Sequence, residues 1–134
     1  TIIDCTTEPP QLLRSGAITA DQIRKECNIT IASATGESRA SGMLEKHYAP
    51  RAKVTLDQIP QPGQGFIALA DIPTPDGVIR IANPKDIIEF AQILYESLRK
   101  ADFLELKERV VTQPIVNGLA IGVRDRLRKA SKGR

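Results

Sequence analysis

Two short segments of this 134-residue chain carry side chains that are suited to holding a small anionic ligand. In the first, Arg14 follows Leu12 and Leu13 and precedes a Ser-Gly pair, so the end of a strand would hold its planar guanidinium in place. Such a fork matches the paired oxygens of a carboxylate or a phosphate. A surface salt bridge would also account for this arginine. The residues alone leave both roles open.

The second segment is His47-Tyr48, which precedes Ala49-Pro50 at the end of a stretch rich in Ala, Ser, Thr and Gly. That stretch, residues 34–51, has no sustained hydrophobic period and predicts an extended linker. An imidazole ring and a phenol on a linker could cover a bound ligand, or they could pin the linker to the surface of a domain. Both interpretations remain open at this point.

Other kinds of site have little support in the composition. His47 is the only histidine, which in practice excludes histidine triads and histidine-rich metal sites. Cys5 and Cys27 have no partner at ligand spacing, so we expect reduced thiols and no zinc site. The glycines of segments 63–65 and 118–122 lack the full fingerprint of a nucleotide loop, which favours turn formation and close helix packing there.

The charge of the chain is concentrated at its C-terminal end. Residues 124–134 contain six basic side chains and one acid, hence a net charge of +5 in a chain whose total is +3. A basic tail can bind RNA phosphates. Lys and Arg also suit the last turns of a helix, where the dipole is negative, and the tail has no aromatic residues to stack bases. The second explanation is favoured.

The overall composition is that of an average soluble globular protein, with 41% hydrophobic and 26% charged residues. We find no run of about 18 apolar residues and no signal segment, so we expect a cytoplasmic protein with no membrane role. The chain opens with Thr1-Ile2-Ile3-Asp4, which already has the pattern of a strand interior. We therefore expect the natural protein to begin well upstream.

Three blocks must position the candidate residues. Residues 1–33 contain strand patterns at 1–5, 11–14 and 29–31 and a short helix at 20–26 that Thr19 caps. This block is shorter than the roughly 40 residues at which unassisted folding becomes rare. It is therefore interpreted as a remnant of a larger domain that docks on another copy of the chain or is poorly ordered.

Residues 52–134 form the third block, after the 34–51 linker. Short apolar strands are predicted at 52–56, 65–70, 77–81 and 109–113. A long helix is predicted from Asn83, as its cap, to about Ala101, and a second helix from Gly118 to about Lys129. Strands that alternate with helices predict an α/β fold: a small Rossmann-like three-layer domain with a mostly parallel sheet.

Several motifs resemble one family. The opening Thr-Ile-Ile-Asp and the Leu-Leu-Arg-Ser-Gly-Ala-Ile-Thr of residues 12–19 are similar to the closing strand and turn of the YrdC-like catalytic domain. The Gly42-Met43 and His47-Tyr48-Ala49-Pro50 motifs resemble a signature of the long, two-domain threonylcarbamoyl-AMP synthases. Residues 94–102 and 118–127 resemble two helices of the same family. The chain is thus identified as a C-terminal fragment of such a synthase.

The resemblance implies an enzyme that joins L-threonine, bicarbonate or carbon dioxide, and ATP into threonylcarbamoyl-AMP and releases pyrophosphate. This nucleotidyltransferase reaction feeds threonylcarbamoyladenosine formation in tRNA, so tRNA and the threonylcarbamoyl-transfer machinery are implied partners. Most residues that hold the substrates lie in the absent N-terminal domain. No catalytic residue is therefore assigned to this chain, which is expected to be inactive alone.

The resemblance also implies three ATP-binding residues in this chain. Arg14 matches an arginine that contacts the nucleotide, and Tyr48, with His47 beside it, matches a linker tyrosine that folds over the ATP site. A mobile cover would exclude water from a reactive mixed anhydride. Mg²⁺ is expected with ATP, but no metal ligand is assigned to this chain.

Two other functions compete with this interpretation. The chain could be a non-catalytic module that binds double-stranded RNA or tRNA through its basic tail. It could also be an α/β interaction domain without a ligand.

Overall fold

A computed structural model describes residues 1–36, residue 40 and residues 50–132 of the chain. The first block folds into a three-stranded sheet that consists of β1 (Ile2–Asp4), β2 (Gln11–Arg14) and β3 (Ala32–Ser33) in the order β1-β2-β3. β1 is antiparallel to β2 and β3 is parallel to it. Strand β2 is therefore held on both sides.

Helix α1 (Ala20–Cys27) connects β2 to β3 and begins as predicted. The Thr19 hydroxyl accepts from the Gln22 N–H at 3.2 Å, and the Thr19 N–H donates to Gln22 Oε1 at 2.8 Å. This reciprocal capping box satisfies two of the N–H groups that a helix start leaves unpaired. The predicted cap is confirmed.

The strand predicted at residues 29–31 is wrong. Asn28 ends α1 in the left-handed conformation, with φ of 51°, and the Ile29 N–H still donates to the Arg24 carbonyl at 3.3 Å. The chain is therefore still leaving the helix at Ile29. Pairing with the sheet begins where the Ala32 N–H donates to the Pro10 carbonyl at 2.8 Å.

The second sheet contains four parallel strands, which confirms the predicted α/β class and the mostly parallel sheet. Its order is β4-β7-β5-β6, and the strands are β4 (Lys53–Leu56), β5 (Gly65–Ile67), β6 (Ile79–Ala82) and β7 (Glu108–Val111). Each lies within the predicted segment or one residue outside it.

Helices α2 (Ile87–Phe103) and α3 (Ala120–Ser131) contact each other and pack on one face of this sheet. The core between them consists of apolar side chains from both layers, chiefly Val54, Ile67, Ile81, Phe90, Leu94, Leu98, Val111, Val123 and Leu127. Along both helices these residues recur every four positions, as expected for one buried face of a helix. The apolar stripe of α2 is confirmed, with Phe90 added to it.

An irregular segment, residues 68–78, forms the third layer on the other face of the sheet. Ile72 and Val78 of this segment pack against Phe66 and Val110. The segment is shorter than the crossover of about a dozen residues that a helix usually needs. The third of the predicted layers is therefore loop rather than helix.

Arg80 holds this segment in place. Its guanidinium lies 4.9 Å from the centre of the Phe66 ring and donates to the carbonyl oxygens of Ala68, Leu69 and Ile72 at 2.8, 2.8 and 3.0 Å. Burial lowers the pKa of Arg80 from its ordinary value, but an arginine remains charged under any physiological condition. The Arg80 side chain thus supplies hydrogen bonds to carbonyl groups that, in a helix or strand, would be bound by backbone N–H groups.

The predicted start of α2 at Asn83 is wrong. Asp86 is the N-cap, and its carboxylate accepts from the Glu89 N–H at 2.9 Å. The Pro84 carbonyl accepts from the Ala70 N–H at 2.9 Å, which continues the pairing of β6 with the segment that follows β5. That contact keeps residues 83–84 extended and moves the helix start downstream.

Candidate functional site

Arg14 is the last residue of β2, the central strand of the first sheet, and it faces Ile2 across the antiparallel pair. The residue is half-buried. The structure thus confirms the predicted position of this arginine at a strand end, where pairing with Ile2 of β1 positions its backbone. A rigid strand end can present a guanidinium with little loss of conformational entropy on binding.

The turn after Arg14 is tightly packed. Gly16 is buried, and a Cβ at this position would lie 2.2 Å from the backbone nitrogen of Thr1. No other residue fits there without moving the backbone. The Thr1 hydroxyl also donates to the Ile18 carbonyl. The start of β1 therefore closes over the turn and fixes its path.

His47 and Tyr48 lie outside the described residues. The described chain resumes at Pro50, which is buried, and then enters β4. Because Pro50 directly follows the His-Tyr-Ala motif, the contacts of residues 50–52 determine where that motif is attached to the α/β domain.

That attachment point is built by a buried ion pair. Arg109 in β7 is fully buried and lies 3.3 Å from the Asp102 carboxylate near the end of α2. Arg109 also donates to the Leu98 carbonyl at 2.7 Å and to the Ala52 carbonyl at 2.9 Å. The guanidinium of Arg109 thus joins α2 and β7 to Ala52, the first residue after the linker.

Asp102 holds the same point from the other side. Its two carboxylate oxygens accept from the N–H groups of Ala52, at 2.9 Å, and Arg51, at 3.2 Å. Burial by itself raises the pKa of Asp102, but these two N–H groups and the Arg109 charge together outweigh it. The net pKa therefore lies below the ordinary 3.8. The carboxylate stays ionised and the anchor persists at neutral pH.

Sequence reasoning missed this anchor although two signals were present. Arg109 directly precedes the apolar pair Val110-Val111 and occupies a buried position of β7, and charged residues are rarely buried without a partner. Asp102 stands in the last turn of a helix, where the dipole disfavours an acid. Each residue is unfavourable in its local setting, and in the folded chain their opposite charges stabilise each other.

The basic tail is largely occupied by contacts within the chain. Arg124 donates to the Pro114 carbonyl at 3.0 Å and Arg126 to the Gly122 carbonyl at 2.9 Å. Asp125 pairs with Arg128 at 3.1 Å and with Lys129 at 2.7 Å. Arg134 lies outside the described residues. Within the described part of the chain, these four basic side chains therefore have structural partners.

The glycine segments form turns and close contacts. Gly63 has φ of 84° and donates to the Gly77 carbonyl at 2.8 Å, so it belongs to a turn before β5. A Cβ on Gly65 would lie 2.3 Å from the Ile81 side chain, and one on Gly122 would lie 3.5 Å from Gly16. Turn formation and close helix packing, predicted for these segments, are confirmed.

The described residues contain no group of three or more His, Cys, Asp or Glu side chains placed to hold a metal ion. Cys5 and Cys27 are free and exposed. Within residues 1–36 and 50–132, no helix is both long enough and apolar enough to span a membrane.

Comparison with known proteins identifies relatives of this architecture. A family described as "Threonylcarbamoyl-AMP synthase, C-terminal domain" matches residues 18–132. The Threonylcarbamoyl-AMP synthase of Pyrococcus abyssi is 30% identical over 152 residues, which cover 98% of this chain and 45% of that protein. The chain thus spans somewhat less than half the length of this relative.

Two solved structures share the fold. The crystal structure of P. abyssi Sua5 complexed with L-threonine superposes with a TM-score of 0.76 and 28% identity, over 98% of this chain and 45% of that one. A P. abyssi Sua5 variant with a histidine and the following tyrosine replaced by alanine superposes with a TM-score of 0.73 and 25% identity. It covers 98% of this chain and 44% of its own length.

Proposed function

This chain belongs to the threonylcarbamoyl-AMP synthase C-terminal domain family, and on that premise we propose that it is the C-terminal part of such a synthase. The complete enzyme joins L-threonine, bicarbonate or carbon dioxide, and ATP into threonylcarbamoyl-AMP with release of pyrophosphate. The family match over residues 18–132 carries this proposal. The L-threonine complex of P. abyssi Sua5 supports the choice of amino acid.

The chain contributes binding and cover rather than the reacting groups. Arg14, at the end of β2, donates hydrogen bonds from its guanidinium to the phosphate oxygens of the nucleotide, which this group suits. His47 and Tyr48 are proposed to cover the same nucleotide. The relative with a substituted His-Tyr pair supports this role, because this chain has a single histidine and a tyrosine follows it.

The α/β domain anchors this cover. Asp102 and Arg109 fix the backbone of Arg51 and Ala52, so the His-Tyr motif is tethered three to four residues away from an immobile point. A tethered cover can close over the adenylate and exclude water without diffusing away. The mixed anhydride is then protected from hydrolysis until it is transferred.

The remaining components come from outside this chain. The Mg²⁺ that accompanies ATP would be held by the substrate phosphates and by residues of the catalytic domain, and no ligand for it is assigned to this chain. The protein works in the cytoplasm, and its product passes to the machinery that forms threonylcarbamoyladenosine in tRNA.

The competing RNA-binding function has less support. A phosphate-binding tail needs cations that are available to the nucleic acid. Arg124, Arg126, Arg128 and Lys129 instead bind carbonyl or carboxylate oxygens of the same chain. These contacts match the alternative explanation of the tail, which is stabilisation of the end of α3.

The proposed function is tested by pyrophosphate release from ATP. The full-length polypeptide that contains this chain should release pyrophosphate only when L-threonine and bicarbonate are both present, whereas residues 1–134 alone should release none. Mass spectrometry should identify threonylcarbamoyl-AMP as the product. A full-length protein that releases no threonine-dependent pyrophosphate would overturn the proposal.

The cover is tested by Tyr48→Ala in the full-length protein. Because the phenol ring helps to exclude water, we expect threonine-dependent pyrophosphate release to fall by about tenfold, while the midpoint of thermal unfolding stays within about 2 °C. Tyr48→Phe keeps the ring and should retain most of the activity. Unchanged turnover in Tyr48→Ala would remove this residue from the site.

A further inference from the structure

We infer that Arg126 of α3 is a positioning residue for Arg14, so that the α/β domain sets the place of a nucleotide-binding side chain in the first block. This inference rests on the proposed function. It assigns a role within the enzyme to a residue that the sequence grouped with the basic tail.

The first block and α3 meet at two glycines. Gly122 lies in the first turns of α3, and a Cβ there would lie 3.5 Å from both the Cα and the carbonyl oxygen of Gly16. Gly122 and Gly16 are both buried. The backbone of the turn after Arg14 therefore rests directly on the backbone of α3, with no side chain between them.

Arg126 adds a polar contact to this junction. Its Nη1 donates to the Gly122 carbonyl at 2.9 Å and reaches the Ser15 carbonyl at 3.5 Å. The shorter bond holds the guanidinium against its own helix, so little side-chain entropy is lost when it also contacts the turn. Ser15 directly follows Arg14, which places the contact one residue from the proposed nucleotide ligand.

Apolar packing alone does not fix this junction. A cavity of about 230 Å³ lies between the two parts and is lined by Leu12, Ser15, Thr19 and Ile121, among others. Ile121 remains 41% exposed beside it. Thr1 packs against one side of the turn, whereas packing is incomplete on the side that faces α3, where few apolar atoms oppose the turn. The hydrogen bond from Arg126 therefore helps to position the turn after Arg14. Complete apolar packing at this junction would have made that hydrogen bond unnecessary.

The test compares Arg126→Met with Arg128→Met in the full-length enzyme. Arg128 is on the same helix, has a half-exposed side chain and pairs with Asp125, so it controls for the loss of a positive charge from α3. Arg126→Met should raise KM for ATP by about three- to tenfold with kcat within about twofold, which is the scale of one lost hydrogen bond. Arg128→Met should leave both constants unchanged. Arg126→Lys should restore part of the affinity.

Gly122→Ala provides a second variant that is not expected to unfold α3. Its Cβ would lie 3.1 Å from Arg126 Nη1 and would displace that group, whereas alanine favours a helix more than glycine does. We expect a higher KM for ATP together with an equal or higher midpoint of thermal unfolding. If Arg126 served only the stability of the fold, KM for ATP would not rise while the midpoint of thermal unfolding was maintained.

Three outcomes would overturn the inference. If the wild-type enzyme releases threonine-dependent pyrophosphate and both Arg126→Met and Gly122→Ala keep its KM for ATP, the inference fails alone. If Arg126→Met lowers kcat in parallel with thermal stability and leaves KM unchanged, Arg126 is structural only. If the wild-type enzyme shows no such activity, the proposed function fails and this inference fails with it.

Discussion

Replacing Asp102 with alanine is expected to lower the free energy of unfolding by about 3 kcal/mol, the lower end of the range for breaking a buried ion pair. The substitution leaves the fully buried Arg109 guanidinium without its counter-charge and removes the acceptor of the Ala52 and Arg51 N–H groups. The Asp102 side chain is 21% exposed, so water can replace part of the lost interaction. The expected loss is therefore not at the upper end.

Within helix α2 itself, replacing Asp102 with alanine should increase stability rather than lower it. Alanine is a better helix former than aspartate, and removal of a negative charge from the last turn of α2 relieves its repulsion from the helix dipole. Both changes would stabilise an isolated helix. A measured loss of stability must therefore come from the tertiary contacts of Asp102.

Urea unfolding of the chain measures this effect through the shift of the midpoint at constant slope. Glu96→Ala is the matched control, because Glu96 is an exposed acid on the same helix, and we expect a change within about 0.5 kcal/mol for it. A double variant, Asp102→Ala with Arg109→Met, should be less destabilised than the sum of its single changes. A loss below about 1 kcal/mol for Asp102→Ala would contradict the anchor.

The stability of the chain should depend on pH through the same carboxylate. The pKa of Asp102 is lowered in the folded state, so its contribution is fully present above the ordinary value of 3.8 and is lost as the pH falls through the folded-state pKa. Between about pH 5 and about pH 2, wild type should lose more stability than Asp102→Ala does. Asp125, whose pKa is also lowered in the fold, contributes equally to both proteins. Equal losses would show that Asp102 is not the responsible group.

Replacing Arg14 with alanine is expected to lower kcat/KM for ATP by about 10- to 100-fold in the full-length enzyme, the scale of a lost charge-assisted hydrogen bond. The strand that carries Arg14 is paired on both sides, so the site keeps its shape while the guanidinium is removed. The loss should therefore concern binding of the nucleotide rather than folding of the first block.

Two further variants separate charge from geometry at this position. Arg14→Lys keeps the positive charge but loses the planar fork, so it should recover only part of the activity. Lys25→Ala removes an exposed cation from α1 in the same block and should leave kcat/KM unchanged. The measurement is initial-rate pyrophosphate release at varied ATP, with thermal unfolding of each variant. An unchanged KM for ATP in Arg14→Ala would exclude Arg14 from the nucleotide site.

Local patterns predicted most elements because their causes are local. The Thr19 capping box, the apolar stripe of α2 and the short apolar strands each depend on residues within one or two turns. The errors occurred where distant backbone groups compete. Pro84 is held extended by Ala70, and residues 28–29 remain bonded to α1, so the start of α2 and the position of β3 were both misplaced.

The residues of the candidate site also fall into those that local sequence predicted and those that depend on distant contacts. Residue type and position in the sequence were enough to select Arg14, and the strand end predicted for it is confirmed. The same reasoning placed Arg126 in a charged tail and did not find the anchor. Asp102 and Arg109 are only seven residues apart, but the Ala52 groups that they bind lie 50 and 57 residues away. Ser15 lies 111 residues from Arg126. A charge in isolation has no preferred partner until the fold brings one within bonding distance.

Hydrophobic periodicity and capping act over a few residues, so they were sufficient to predict the α/β class, the parallel sheet and a strand end that carries an arginine. The folded chain was needed to show which charges are buried together, which face of the sheet lacks a helix and where the first block touches α3. Those features depend on contacts between residues far apart in the chain, and the free energy of such contacts exists only once the backbone is folded.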